Sequence, residues 1–582
     1  MRFLTASWSA ILVLVAGAGS ADPLQQPRPA RDSASAAGEW PSAGRDDGLT
    51  RWSPLDQVNR DNVAKLVPAW TFSTGSAGPH EGGPLVIGST LFVHTPYPNQ
   101  VFALDLTRPG APVKWKYVAP LPPRPRGTRG VRDTTPPAMP TGCCGGGSRG
   151  LAWHKSGKIY VPILSGELAA LDAKTGREIW RVRNSDWRTG ALLAGAPLVA
   201  GDLVIVGGSG AANGVRGYLT AYDAANGRLV WRAWSTGPDS DVLLDGPANS
   251  AYPSHQGRDL GRSTWPGEAW RYGGGTPSGW LSFDAGMGLV FYGTDEPSPP
   301  NPAARPGENK WTSSIMAREL ATGRLRWALQ LTPHDQWGFG AGNENVLVDL
   351  TIAARPLKAL VHFDRNGFVY TIDRTVGKLL TSERYGPLNW ALSVDPGSAT
   401  PRLESKYSAP RGKAVTAGVC PAGVGAKSLA PVSFAPPTGL FFVPLNNLCM
   451  DMAIRPGGRD LAVTLKPGPG NVRGRFIAWN AGNTALAWEN REPLPLSGGA
   501  LATAGGLVFY GTLDGWLKAL DQSSGRELWK YQTPAGIVGS PITFLGPDGR
   551  QYIAVLSGLP AGALGLESSS GATIGVLTVF GL

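Results

Sequence analysis

Cysteine is scarce, with four residues in a chain of 582. No Cys-x-x-Cys-His run occurs, which argues against a covalently attached c-type haem in this chain. Long apolar runs are missing too. Beyond a short stretch near the N-terminus, nothing approaches the roughly 18 uninterrupted apolar residues of a spanning helix, so no membrane span is expected. Blocks of cationic residues are also absent. The net charge is +11 and the pI about 9.5, yet lysine and arginine are scattered rather than gathered in runs of about five or six, which argues against nucleic acid as a partner. A basic surface suited to an acidic partner is the better reading.

The N-terminus has the order of a secretory signal peptide: Arg2, an apolar run from Ile11 to Ala18, then Gly19-Ser20-Ala21. Residues 1–21 are expected to be removed on export to the periplasm. Residues 22–50, rich in Pro, Ala, Ser, Asp and Arg, are expected to form a loosely ordered arm. Residues 51–582 then make the folded domain.

Export permits disulfides. Four cysteines allow three pairings, and the spacing suggests Cys143–Cys144 and Cys420–Cys449. The first pair sits inside Thr141-Gly-Cys-Cys-Gly-Gly-Gly-Ser-Arg149. Adjacent Cα atoms are about 3.8 Å apart, below the usual disulfide range of roughly 4.4–6.8 Å, so a bridge there is strained and rigid. One reading is the lid of a pocket for a flat anionic ligand, with Arg149 offering a fork of donors to a carboxylate. Two free thiols in a loop, or half of a metal site, are the alternatives, and the pair alone leaves all three open.

Glycine (79), proline (51) and tryptophan (21) are abundant, which points to a mostly β chain rich in turns. A length that would otherwise suggest several domains is accounted for by repetition. Leu171-Asp-Ala-Lys-Thr-Gly-Arg-Glu-Ile-Trp180 recurs as Tyr222-Asp-Ala-Ala-Asn-Gly-Arg-Leu-Val-Trp231, as Glu319-Leu-Ala-Thr-Gly-Arg-Leu-Arg-Trp327 and as Leu520-Asp-Gln-Ser-Ser-Gly-Arg-Glu-Leu-Trp529, with looser copies ending at Trp115 and Trp488. Most copies read as strand, tight turn, strand: Asp opens the turn, Gly supplies a positive φ, and Trp lands on the next strand. With an alternating strand upstream of most copies, the unit is a four-stranded blade. About eight of them predict an all-β, eight-bladed β-propeller with tryptophans packed between blades as core.

Several stretches carry a more specific signal: His80-Glu-Gly-Gly-Pro84, Val93-His-Thr-Pro-Tyr-Pro-Asn99, the cysteine pair with Arg149, Gly207-Gly-Ser-Gly-Ala211 leading to Gly214-Val-Arg-Gly-Tyr218, Arg305-Pro-Gly-Glu-Asn-Lys-Trp-Thr312, Pro333-His-Asp-Gln-Trp337, Phe363-Asp-Arg-Asn-Gly367 and Asn446-Asn-Leu-Cys-Met450. On these the chain, from Trp52 to Val579, resembles the large subunit of pyrroloquinoline-quinone (PQQ) methanol and ethanol dehydrogenases. That resemblance implies PQQ held between a vicinal disulfide and a tryptophan, a Ca²⁺ or lanthanide ion on the reacting carbonyl, and an aspartate base. Carried over residue by residue, it assigns cofactor binding to Glu81, Cys143, Cys144, Arg149, Ser209, Gly210, Ala211, Thr276 and Arg365, with Lys427 retained beside the cofactor-contacting position at Ser428.

The departures fall on the chemistry. The resemblance places metal ligands at Ala212, Glu296, Gly338 and Gly340, and of these Glu296 alone has a side-chain oxygen, too few for the roughly six to eight that a hard cation takes. Gly338 stands at the base position, Ser278 at the stacking tryptophan, and Ala194 and Ser428 at cofactor contacts. Asp295 and Glu296 are the new acids near the pocket, candidates for both base and metal ligand, although solvated loop carboxylates are the plainer reading. The implied function is oxidation of an alcohol or aldehyde, with electrons passed to a separate soluble cytochrome c and a homodimer as one possible assembly. The alternative is a catalytically inactive member that binds a quinone, a small ligand or a partner.

Overall fold

A computed structural model describes residues 28–29, 37–120, 146–244, 259–352, 355–412, 414–559 and 574–582. The expected signal peptide at 1–21 and the pair Cys143–Cys144 lie outside the described residues.

Among the described residues, eight sheets share a core of four antiparallel strands; in six of them the four are consecutive in the chain and pair with their sequence neighbours, and two of those six carry a further two-residue strand at one edge. The second sheet is typical, with strands Ala152–His154, Lys158–Ile163, Glu167–Asp172 and Glu178–Arg183. Its inner strands are buried on both faces, whereas the outer strand alternates half-buried and exposed residues, as expected when one face meets the next sheet and the other meets water. The eighth sheet joins the chain's two ends: Ile542–Leu545, Gln551–Ser557 and Ile574–Gly581 are completed by Val67–Ala77 from the N-terminal side. That pairing covers a sheet edge with the chain's own first long strand.

The turns form as their residues dictate. Asp172 Oδ1 accepts from the backbone N–H groups of Lys174 and Thr175 and from the Thr175 hydroxyl, and Gly176 follows at φ +72°. The tryptophan ending each copy reaches into the following sheet. Trp115, Trp231, Trp327 and Trp488 donate through Nε1 to the carbonyls of Ala173, Leu320, Arg374 and Gln522 at 2.8–3.1 Å. Trp529 does the same to Leu66.

Residues 37–50 correct the expectation of a loose arm. Trp40 is fully buried and exchanges both backbone hydrogen bonds with Val86. Asp46 caps the turn that leads to Thr50. The buried Arg51 then donates to the carbonyls of Ala500 and Pro541. Composition pointed to disorder, but one large aromatic and one arginine spanning distant strands provide the burial that orders the segment.

Two further small sheets are built from insertions. One, Ala391–Val394 with Pro401–Leu403, lies between the fifth and sixth repeated sheets; the other joins Val415–Val419 from that same connection to Leu448–Ile454 and Leu461–Pro467, which are inserted between the second and third strands of the sixth, with Leu448–Ile454 in the middle. Cys420 and Cys449 are disulfide-bonded here. Among the described residues no helix is long and apolar enough to cross a membrane.

Candidate active site

Loops from many of these sheets converge on a cavity of about 620 Å³. Its charged lining comprises Glu81, Arg149, Asp295, Glu296 and Arg365, residues spread over most of the chain and brought together by the fold.

Arg149 is fixed first. Its backbone N–H donates to the Ala194 carbonyl at 2.9 Å, its Nη1 to the Ser278 carbonyl at 2.9 Å, and its Nε lies 3.4 Å from Glu81 Oε2. Burial pushes the Glu81 carboxyl upward, and Arg149 opposes that rise. Across the cavity, Arg365 donates through Nη2 to the Gly423 carbonyl at 2.7 Å and holds Nη1 3.7 Å from Glu296 Oε2. Two guanidinium groups thus face one cavity from separate elements.

Asp295 and Glu296 follow the strand Leu289–Gly293. Asp295 is 7% exposed, which removes the solvated-loop reading for it. The Thr276 hydroxyl donates to Asp295 Oδ2 at 2.5 Å, and Asp295 N–H donates to the Thr276 carbonyl at 2.9 Å. Thr276 thus anchors this acid. Burial raises the Asp295 carboxyl, against hydrogen bonds from Thr276 and Ser278 and the charge of Arg365. Glu296 is pushed up to about 7 by burial and then by the Asp295 charge, with Arg365 opposing. Its side chain keeps 23% exposure, enough to meet a ligand in the cavity.

Ser209 lies just behind the wall, held by two backbone bonds with Leu192. Its hydroxyl is fully buried and has no hydrogen-bond partner among the described residues. Gly210 and Ala211 line the cavity and open a single 3₁₀ turn, Ala211–Asn213. A Cβ at Gly210 would stand 2.4 Å from the Gly190 carbonyl oxygen, so only glycine fits.

Lys427 is fully buried behind the cavity wall; its Nζ donates to Glu344 Oε2 at 2.8 Å and to the Ser428 carbonyl at 3.2 Å. A buried ammonium needs a counter-charge, and Glu344 supplies it, so the lysine braces the wall from behind. Asp335 is likewise fully engaged. It accepts from the N–H groups of Trp337, Gly338 and Gly340 at 2.8–3.0 Å and from the Ser313 hydroxyl at 3.0 Å. Those bonds shape the loop at the expected base position, where Gly338 offers no side chain.

The apolar part of the lining was not read from the sequence: Trp280, Val424, Leu429, Pro431, Val538 and Leu559. Most are loop residues outside any repeat. The Trp280 signal was present, two positions after Ser278, and its Nε1 donates to the Leu429 carbonyl at 2.8 Å.

The model of the PQQ glucose/ethanol/alcohol dehydrogenase β-propeller domain matches residues 40–384 and 479–553. The chain is 43% identical over 533 residues to the lanthanide-dependent methanol dehydrogenase of Methylacidiphilum fumariolicum (strain SolV), covering 90% of this chain and 85% of that one. It is 39% identical over 539 residues to methanol dehydrogenase [cytochrome c] subunit 1 of Paracoccus denitrificans, 89% of this chain and 83% of that one. A solved europium-containing methanol dehydrogenase superposes with a TM-score of 0.88 at 41% identity, covering 94% of this chain and 98% of that one. The repeated four-stranded sheets, the charged cavity they enclose and these similarities place the chain in the PQQ-dependent methanol and ethanol dehydrogenase family, all-β proteins built on the β-propeller.

Proposed function

We propose that this protein is an exported PQQ-dependent dehydrogenase that oxidises an alcohol or aldehyde and passes electrons to a separate cytochrome c, its eight repeated sheets being the blades of one ring. The observation that carries the reading is the convergence of Arg149 and Arg365 on one cavity. PQQ is flat and bears carboxylates, and two fixed guanidinium groups suit such a ligand. The Ser209 hydroxyl, buried just behind Gly210 of the lining and without a hydrogen-bond partner among the described residues, is a further donor suited to a ligand acceptor. Glu81 orients Arg149, and the apolar lining on Leu429, Pro431 and Val538 excludes water from the flat faces of a ring system. The vicinal pair Cys143–Cys144 belongs to the same proposal as a stacking lid.

When bound, the quinone supplies a two-electron acceptor. The chain's residues then have one task in the oxidation, removal of the substrate's hydroxyl proton. With glycine at 338 and Asp335 committed to backbone donors, Glu296 is assigned as the base and Asp295 as its neighbour, each at a level set by burial. A Ca²⁺ or lanthanide ion fits this donor set less well. Ala212, Gly338 and Gly340 bring no side-chain oxygen, and no three His, Cys, Asp or Glu side chains come together among the described residues. Asp295 and Glu296 fall short of the roughly six to eight oxygens required, so no step is assigned to a metal.

The same two facts, the empty base position at Gly338 and the engaged state of Asp335, favour a second reading in which the cavity binds a quinone without turning over. Reconstitution of the purified protein with PQQ separates them. Dye-coupled alcohol oxidation that disappears in Glu296→Ala supports the enzyme. Tight PQQ binding without turnover supports the binding protein, and no PQQ binding overturns both.

A further inference from the structure

We propose that the segment Asn446–Met450 is a splint for Arg365, with Met450 as the positioning residue that sets where the guanidinium points. The inference rests on the reading above, in which Arg365 meets a carboxylate-bearing ligand, and extends it to residues behind the cavity wall.

Arg365 lies between the strands Arg355–Phe363 and Phe368–Asp373. Among the described residues its guanidinium makes one hydrogen bond, from Nη2 to the Gly423 carbonyl at 2.7 Å. The approach to Glu296, at 3.7 Å, is too long to fix a direction. The loop that carries Gly423 meets Arg365 twice more. Ala426 N–H donates to the Arg365 carbonyl at 2.9 Å, and Gly425 is so close that a Cβ there would stand 2.8 Å from both Cβ and Cγ of Arg365. Where the guanidinium points is therefore decided by how residues 423–426 are held. Val424, within that loop, lines the cavity itself.

The holding is done by Asn446–Met450, a motif distinctive in the sequence. Asn446 N–H donates to the Ala426 carbonyl at 2.7 Å, and its Nδ2 donates to the Gly425 carbonyl at 3.3 Å. The Leu448 carbonyl accepts from Ala422 N–H at 2.8 Å, Cys449 is bonded to Cys420, and Met450 Sδ accepts from Gly423 N–H at 3.1 Å. Gly423 is the joint. Glycine has the least conformational restraint of its own, and a Cβ here would stand 2.8 Å from the Trp337 carbonyl oxygen. Among the described residues two hydrogen bonds fix its backbone, N–H to Met450 and C=O from Arg365. Without the sulfur, the Gly423 N–H must turn to find another partner, and turning it moves the carbonyl that Arg365 uses. Core packing accounts for the burial of both Met450 and Met452. Of the two, the Met450 sulfur alone takes a hydrogen bond among the described residues.

The test measures PQQ binding to the full mature protein by quenching of tryptophan fluorescence. Met450→Leu keeps the volume and removes the acceptor, so the dissociation constant should rise about 3- to 10-fold while the melting temperature stays nearly unchanged. Met452→Leu, on the same strand and in the same core, should leave both at the wild-type level. In an Arg365→Lys background, which lacks Nη2, Met450→Leu should weaken binding less than about 2-fold, because Met450 acts through that nitrogen. Asn446→Ala, which releases the Gly425 carbonyl, should raise the constant about 3-fold and decides the matter if Met450→Leu folds poorly. An unchanged constant in Met450→Leu and Asn446→Ala, an equal loss in Met452→Leu, or an equal loss in the Arg365→Lys background overturns the splint while wild-type binding keeps the cofactor reading. Wild-type protein that does not bind PQQ overturns both.

Discussion

Gly377 lies against the face of Trp327, so close that a Cβ on the glycine would stand 2.5 Å from the indole Cδ2. The same relationship links Gly176 to Trp115, Gly227 to Trp180, Gly323 to Trp231 and Gly525 to Trp488, always the turn of one sheet beneath the tryptophan of the sheet before. Gly377 also sits at φ +73°. In Gly377→Ala the methyl group must displace a buried indole as well as hold an unfavourable backbone, at an expected cost of about 2–4 kcal/mol. Gly288, at φ +64° with open space around it, isolates the backbone component, about 1 kcal/mol in Gly288→Ala. Urea unfolding should show a larger shift in midpoint for Gly377→Ala, with both slopes unchanged.

Two glycines on one loop should respond differently to aspartate. A Cβ at Gly338 meets nothing within 4 Å, whereas one at Gly340 would stand 2.8 Å from the Glu296 backbone nitrogen. Gly338→Asp should therefore fold with only the roughly 1 kcal/mol penalty of its positive φ. Gly340→Asp must push backbone and should be destabilised by more than about 2 kcal/mol. If the cavity lacks only donors, Ala212→Glu/Gly338→Asp should raise the melting temperature on adding La³⁺ by more than the wild type does. Thermal unfolding with and without the ion reads both effects.

Arg149 uses Nη1 and Nε in different directions, toward the Ser278 carbonyl and Glu81. Lysine has one nitrogen and cannot do both. Arg149→Lys should lower PQQ affinity about 10- to 100-fold while preserving the fold. Quenching of tryptophan fluorescence by PQQ provides the measurement, and an unchanged dissociation constant would remove Arg149 from the cofactor's contacts.

What could be read from the sequence follows the range of each interaction. The repeat was legible because its turn is local: Asp172, Thr175 and Gly176 satisfy one another within five residues. The packing of residues 37–50 was not, because Trp40 finds its partner at Val86 and Arg51 its acceptors at Ala500 and Pro541. At the cavity, the family resemblance points to Glu81, Arg149 and Arg365 as matches and to Asp295 and Glu296 as departures from its pattern, and periodicity points to none of them. The pairing of Lys427 with Glu344 was not legible, because the partner lies 83 residues earlier and a buried ion pair leaves no mark in spacing.

His80 ties the chain's ends together, and its burial makes that tie sensitive to acid. The ring is 2% exposed, with Nε2 3.1 Å from the Thr74 hydroxyl and Nδ1 3.0 Å from the Gly78 carbonyl. Its backbone N–H donates to Gly558, and the ring packs so tightly on Gly575 that a Cβ there would stand 2.1 Å from Cε1. Burial is the main reason that the imidazole is pushed down to about 4, with the Gly78 hydrogen bond opposing and His94 adding a smaller push. The unfolded chain has an ordinary histidine near 6.5. Between those values the unfolded state binds more protons, so stability falls as pH drops from about 6.5 to 4 and is insensitive to this group above and below that window. The loss is on the order of 3 kcal/mol at its limit. His80→Gln keeps polar atoms at the site without the titration, so its stability at neutral pH should be lower but its decline from pH 7 to 4 shallower than that of the wild type. Urea midpoints across that range provide the comparison, and parallel declines would show that His80 is not the group responsible.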